Sequence, residues 1–152
     1  MSSKQSDKGS RFEYKIRDLL TARTGVKWDR VPMSGAGAMK GDIYCLTNHY
    51  YYCFECKSFA ESIIKENLLT AKSNNFYGWW EQCIREAEVM KRIPGLIFKM
   101  DRGKPLIAVT EDIIELQAFS LRTDITGEYI DVHIYLFEDW LAHKDIGDLV
   151  VV

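Results

Sequence analysis

Apolar positions recur at helical spacing over residues 10–23, where Phe12, Ile16, Leu19 and Leu20 fall on one face and Gly25 supplies a stop. Residues 26–33 predict a strand ending at Pro32, and the glycine-bearing run Ser34-Gly35-Ala36-Gly37-Ala38-Met39-Lys40-Gly41 follows it. Residues 42–46 and 50–57 then predict a hairpin around Thr47-Asn48-His49. A second principal helix is expected over residues 76–91, with Phe76, Trp80, Cys83, Ile84 and Ala87 as its buried stripe and Pro94-Gly95 ending it. Residues 96–101 and 106–110 predict two strands around an Arg102-Gly103-Lys104 turn. Beyond them a short helix is expected over residues 111–119. Alternation of Ile130, Val132, Ile134 and Leu136 predicts a strand over residues 129–137, and a last short helix falls around residues 138–143. No segment repeats.

A chain of 152 residues predicts a single domain with one substantial core, a central part at about residues 8–110 and a C-terminal α/β extension from about residue 111. With 47% hydrophobic and 28% charged residues it reads as globular, and no apolar run approaches a membrane span. The first residues lack the apolar stretch of a leader, so a cytoplasmic location is expected. Cys53 and Cys56 have CxxC spacing, but on a strand they point to opposite faces and cannot clasp one ion. All four cysteines are therefore expected as buried thiols. His49, His133 and His143 share no short spacing. Trp28, Trp79, Trp80 and the Tyr50-Tyr51-Tyr52 run predict burial or a dimer interface rather than base stacking.

The formal charge of −2 hides an asymmetry. Residues 1–40 hold nine Lys or Arg against four Asp or Glu, whereas residues 111–152 hold ten acids and two bases. Lys8, Arg11, Lys15, Arg23, Lys27, Arg30 and Lys40 are thus candidate contacts to a phosphate backbone, with the acidic C-terminal part facing away from it.

The chemistry concentrates in the hairpin. Side chains alternate across a strand, so Glu55 and Lys57 share one face while Phe54 and Cys56 point into a core. Asp42 opens the neighbouring strand, and pairing brings its carboxylate next to Glu55. Two carboxylates and an ammonium form a candidate site for a hard divalent cation that binds a phosphodiester.

In ordered succession, Lys8-Gly9-Ser10-Arg11-Phe12-Glu13, Arg30 with Ser34-Gly35, Gly41-Asp42-Ile43 and Glu55-Cys56-Lys57 resemble the PD-(D/E)XK nuclease superfamily. The likeness is to the archaeal-type Holliday junction resolvases and to the phage PDDEXK endonucleases. Trp79-Trp80-Glu81-Gln82, Gly95-Leu96-Ile97-Phe98-Lys99 and Arg102-Gly103-Lys104-Pro105 resemble the second half of the phage proteins. Gly41 stands where the family name has proline, and the resemblance says little about residues after Glu111.

The resemblance implies a restriction-endonuclease-like α/β fold, α-β-β-β-α-β, with helices flanking a mixed central sheet. It implies Mg2+, with Mn2+ able to substitute, held by Asp42, Glu55, the backbone carbonyl of Cys56 and Glu13, and it implies Lys57 as the residue acting on the attacking water. For Glu13 the residues leave a second role open, as the partner of Ser10 in a capping box. Gln82 either orders a water or phosphate or is an exposed helix amide. Lys8, Arg11, Arg30, Ser34, Lys40 and Lys72 are the candidate DNA contacts.

The expected activity is phosphodiester hydrolysis in branched DNA, notably Holliday junctions, by a homodimer or higher homo-oligomer, since a four-way junction needs two opposed cuts. A site-specific endonuclease of homing or restriction type acting on duplex DNA, and a non-catalytic DNA-binding or assembly protein, are the alternatives.

Overall fold

The computed structural model describes residues 4–32, 39–60, 62, 64–69, 75–125 and 127–152. Helix α1 (Lys4–Thr24) is followed by strands β1 (Trp28–Arg30), β2 (Ile43–Cys45) and β3 (Tyr52–Phe59). A 3-10 turn (Glu66–Leu69) then leads to α2 (Asn75–Met90) and β4 (Ile93–Met100). This is the α-β-β-β-α-β order implied by the resemblance. Strands β5 (Leu106–Val109), β6 (Phe119–Ile125) and β7 (Glu128–Leu136) and helices α3 (Phe137–His143) and α4 (Ile146–Leu149) complete the chain.

All seven strands join one mixed sheet in the order β1-β2-β3-β4-β5-β7-β6. Only β3 and β4 run parallel, as two strands linked through the helix α2 must be to lie side by side in a crossover unit. The fold is α/β, with helices on both faces of the sheet.

Period-two alternation assigns each strand residue to a layer. Phe54, Cys56, Ile97, Ile107, Val109 and Tyr135 face α1, where Phe12, Ile16, Leu20 and Trp140 close the first core. Leu96, Phe98, Ala108, Val132 and Ile134 face α2 and pack on Phe76, Trp80 and Cys83. Of the expected α2 stripe, Phe76, Trp80, Cys83 and Ala87 are buried and Ile84 is half-buried. Trp28, Tyr50 and Tyr52 lie in the α1-side core as burial predicts, Tyr52 stacking on Phe54 with ring centroids 5.5 Å apart. All four cysteines are free and buried.

Four local expectations are corrected. Helix α1 starts at Lys4, so Ser10 is interior to it and cannot form a capping box with Glu13. Residues 111–119 are not a helix: a turn around residues 114–116 leads into β6, because Tyr135, Trp140 and Lys144 hold Glu111 in extended chain. Pro94-Gly95 does not end α2. The helix stops at Met90 with Lys91 in the left-handed region (φ 53), and the Arg92 N–H donates to the Ala87 carbonyl at 2.9 Å. Pro94 and Gly95 then lie inside β4. The Ile93 N–H faces β3, donating to Tyr51, so position 94 turns toward β5, which starts pairing only at Leu96; proline removes no ladder bond there. Finally, Arg23 is not a free cation for DNA, because its guanidinium donates to the carbonyls of Leu141 and Lys144 and ties α1 to α3.

Candidate active site

The site forms where β2 begins one residue late. The Asp42 N–H donates to the Phe54 carbonyl (2.7 Å) and the Val31 N–H donates to the Asp42 carbonyl (2.9 Å), so the backbone of Asp42 is already held by strand-like bonds on both sides. Cys56, two residues on from Phe54, also turns its backbone toward β2, but β2 offers it no strand partner. The Asp42 side chain fills the gap, its Oδ2 accepting the Cys56 N–H at 2.7 Å. A strand residue presents its N–H and C=O to the same side, so the Cys56 carbonyl also lies on the Asp42 side of β3.

The Ile43–Phe54 pairing is not continued regularly to Asp42: the bond from the Asp42 N–H to Phe54 lies one residue out of that register, so Asp42 and Ile43 both stand against Phe54, as in a bulge. Glu55 is 3% exposed, and Lys57 follows it on the same face of β3, half-buried. A carboxylate so deep in a sheet requires a cation or hydrogen-bond donors to remain charged.

Glu13 reaches the same place from α1. Its Oε2 accepts a 2.5 Å charge-assisted bond from Arg30 Nε, and the Arg30 guanidinium lies over the Tyr14 ring. Burial and then the neighbouring Asp42 charge push the Glu13 carboxyl above its ordinary range, while Arg30 and Lys57 pull it back. Asp42 is raised too, mainly by burial, against the opposing effects of the Cys56 N–H, Lys57 and Arg30. Carboxyls that gain proton affinity because charge is costly there are suited to exchanging protons for a cation. Carboxylate and carbonyl oxygens such as those of Asp42, Glu55, Glu13 and Cys56 are the donor type a hard divalent cation takes. Among the described residues no three His, Cys, Asp or Glu side chains are drawn together into a closed metal-binding group.

From α2, Gln82 is half-buried and its Nε2 donates to Glu86 Oε1 at 3.4 Å. Glu86 was not among the residues singled out from the sequence. Burial first and the Asp42 charge second raise its carboxyl, and Lys40 and the Gly41 amide oppose them, so it borders the Asp42 segment. The four-residue spacing of Gln82, Glu86 and Met90 was the signal that could have found it.

The candidate DNA contacts divide. Lys8, Arg11, Phe12, Lys15, Ser58 and Lys99 line a cleft of about 290 Å³, with Ser58 immediately after Lys57 on β3. Lys8 is ion-paired with Asp101, Arg30 with Glu13, and Lys40 stands near Glu86. Ser34 and Lys72 lie outside the described residues. The larger cavity, about 1080 Å³ between α2 and β6, is lined by Trp79, Arg122 and Tyr129 among others and by none of Glu13, Asp42, Glu55 or Lys57.

A mixed α/β sheet carries an aspartate before β2 whose side chain bonds β3 between the Glu and Lys of a Glu-x-Lys run. Residues 4–150 match the family "Phage putative PDDEXK endonuclease", and the chain belongs to that family. It is 40% identical over 159 residues to Protein D14 of Escherichia phage T5, covering 99% of each chain. Among solved structures it is similar to a Holliday junction resolvase of Archaeoglobus fulgidus at 17% identity, with a TM-score of 0.43, covering 82% of this chain and 88% of that one. A likeness at that level says nothing about substrate. No helix among the described residues is long and apolar enough to cross a membrane.

Proposed function

We propose that this protein is a divalent-metal-dependent DNA endonuclease that hydrolyses phosphodiester bonds in branched DNA. The observation that carries the reading is the anchoring of the Asp42 carboxylate on the Cys56 N–H, between Glu55 and Lys57 in the chain of β3. Asp42, Glu55, the Cys56 carbonyl and Glu13 would hold Mg2+, or Mn2+ in its place. When bound, such an ion polarises the scissile phosphate and acidifies a water.

Lys57 orients the attacking water and offsets the charge that grows on phosphorus. Water oxygen bonds to phosphorus, the bond to the 3′ oxygen breaks, and the ends left are a 5′-phosphate and a 3′-hydroxyl. Gln82, on α2, would order a water or phosphate. Along the cleft beside β3, Lys8, Arg11, Lys15 and Lys99 contact the backbone of the bound strand without reading sequence.

Branched DNA is preferred because the motifs at residues 8–13 and 30–35 are those most like junction resolvases, and a homodimer would deliver the two opposed cuts. Matched four-way, flap and linear duplex DNAs, incubated with wild type and Asp42→Asn in Mg2+ and in EDTA, test this. Metal-dependent paired nicks at the junction are expected. Cutting confined to a sequence in linear DNA would transfer the same chemistry to a site-specific endonuclease, and no cutting of any DNA would leave a binding protein.

A further inference from the structure

Helix α2 presents three polarizable or polar side chains in register toward the segment before β2. Gln82, Glu86 and Met90 stand four residues apart and so form one row along the helix. Met90 Sδ accepts the Lys40 N–H at 3.5 Å, Glu86 faces the Gly41 amide, and Gln82 Nε2 donates to Glu86 Oε1 at 3.4 Å. From the other side β3 holds the same segment through Phe54 O and Cys56 N. Residues 40–42 are therefore gripped between a helix and a strand.

Glu86 does more than this grip needs. Its Oε2 is buried with no hydrogen-bond partner. An unsatisfied buried acceptor is destabilising, and a neutral side chain would brace the segment without that cost. It also stands beside Asp42 with charge of the same sign, which burial makes worse. Two carboxyls side by side, one with a free buried oxygen, are stabilised by a proton retained on one of them or by positive charge and water donors placed between them.

We propose that Glu86 is a positioning residue of the Asp42 site: it holds the Lys40-Gly41 backbone with one carboxylate oxygen and, with the other, receives hydrogen bonds from waters around a cation bound at Asp42. The inference rests on the divalent-metal reading above. Mg2+ and Mn2+ sites retain several waters, and the groups that orient those waters affect metal affinity or activity by about 10–100-fold.

Calorimetric titration of Mn2+ into wild type, Glu86→Ala and Glu86→Gln, with thermal melts of each, tests it without reference to catalysis. The alanine variant should bind Mn2+ about 10-fold or more weakly. The isosteric glutamine, which keeps an acceptor for Gly41 and loses the charge, should restore part of that affinity. A lowered melting temperature with wild-type Mn2+ affinity in the folded variants would make Glu86 structural only and overturn the proposal. If the alanine variant does not fold, wild-type Mn2+ affinity in Glu86→Gln overturns it alone and weakened affinity supports it. Wild type that binds no Mn2+ would overturn the metal reading and this role with it, an outcome distinct from failure of the variants alone.

Discussion

Oδ2 of Asp42 accepts the Cys56 N–H at 2.7 Å, so one carboxylate oxygen is fixed to the strand that carries Glu55 and Lys57 and the other is left for a ligand. Asparagine can keep that bond through its amide oxygen while giving up the charge. Asp42→Asn should therefore fold and bind DNA like wild type and not cleave. Lys57→Ala should lower the cleavage rate by roughly 10²–10⁴-fold, the range for loss of a group acting on the attacking water. Gel assays of nicking beside circular dichroism and binding measurements check both, and cleavage retained by either variant would remove these residues from the chemistry.

Gly41 explains why the proline of the family name is absent here. Its φ is +90, and a Cβ at this position would lie 3.1 Å from both the Phe54 carbonyl and Cys53 Sγ. Proline requires φ near −65° and cannot take this turn. Gly41→Ala should cost about 1–3 kcal/mol in urea unfolding. It should also reduce cleavage beyond what lost folding accounts for, because the displaced backbone carries Asp42. Gly41→Pro should be worse on both counts, and a proline variant as stable and active as wild type would show that the turn does not position Asp42.

What the sequence made legible was local and periodic. The α2 stripe from Phe76 to Ala87 and the alternation from Phe54 to Lys57 need only the repeat of a helix or a strand, and both appear as expected. That Asp42 and Glu55 come from neighbouring strands was legible for the same reason, but the register at Asp42 was not, because its N–H bonds Phe54 one residue out of the ladder. The segment at residues 111–119 was not legible, because contacts far along the chain decide it: Glu111 accepts from Tyr52 Oη (2.5 Å) and Trp140 Nε1 (3.2 Å) and pairs with Lys144. Ser10 and Glu13 satisfied a capping pattern locally, yet the helix extends past them to Lys4 and Glu13 turns to Arg30, which is 17 residues away. Glu86 looked like one more polar residue of a helix. Only the packing of α2 on the Gly41 turn distinguishes it.

The cleft beside β3 should set affinity and not chemistry. Lys15→Ala and Lys99→Ala each remove a cation without touching Asp42, Glu55 or Lys57. Each should weaken DNA binding and reduce the slope of log affinity against log salt by about 1. Cleavage at saturating DNA should stay near wild type. Fluorescence anisotropy over a salt series in EDTA measures the slope, and an unchanged slope in both variants would place the DNA path elsewhere.

The crowded carboxylates also give the metal-free protein a pH signature. Asp42, Glu13 and Glu86 all have carboxyls raised above their ordinary values of 3.8 for aspartate and 4.5 for glutamate, with burial the largest cause in each. In the window between the ordinary and the raised values the folded state holds protons that the unfolded chain has released, so stability falls as pH rises through it. Below the ordinary values both states are protonated and the penalty is absent; above the raised values it is complete. Asparagine at position 42 removes Asp42's share. In EDTA at about pH 7.5, Asp42→Asn should therefore melt higher than wild type, and the gap should close as pH falls through Asp42's raised value. Mn2+ should then raise the wild-type melting temperature at neutral pH and leave that of Asp42→Asn nearly unmoved, since an ion stabilises only the folded state that binds it. A variant that melts below wild type at every pH would mean that Asp42 is satisfied without a cation, and that the carboxylates at this turn serve the fold alone.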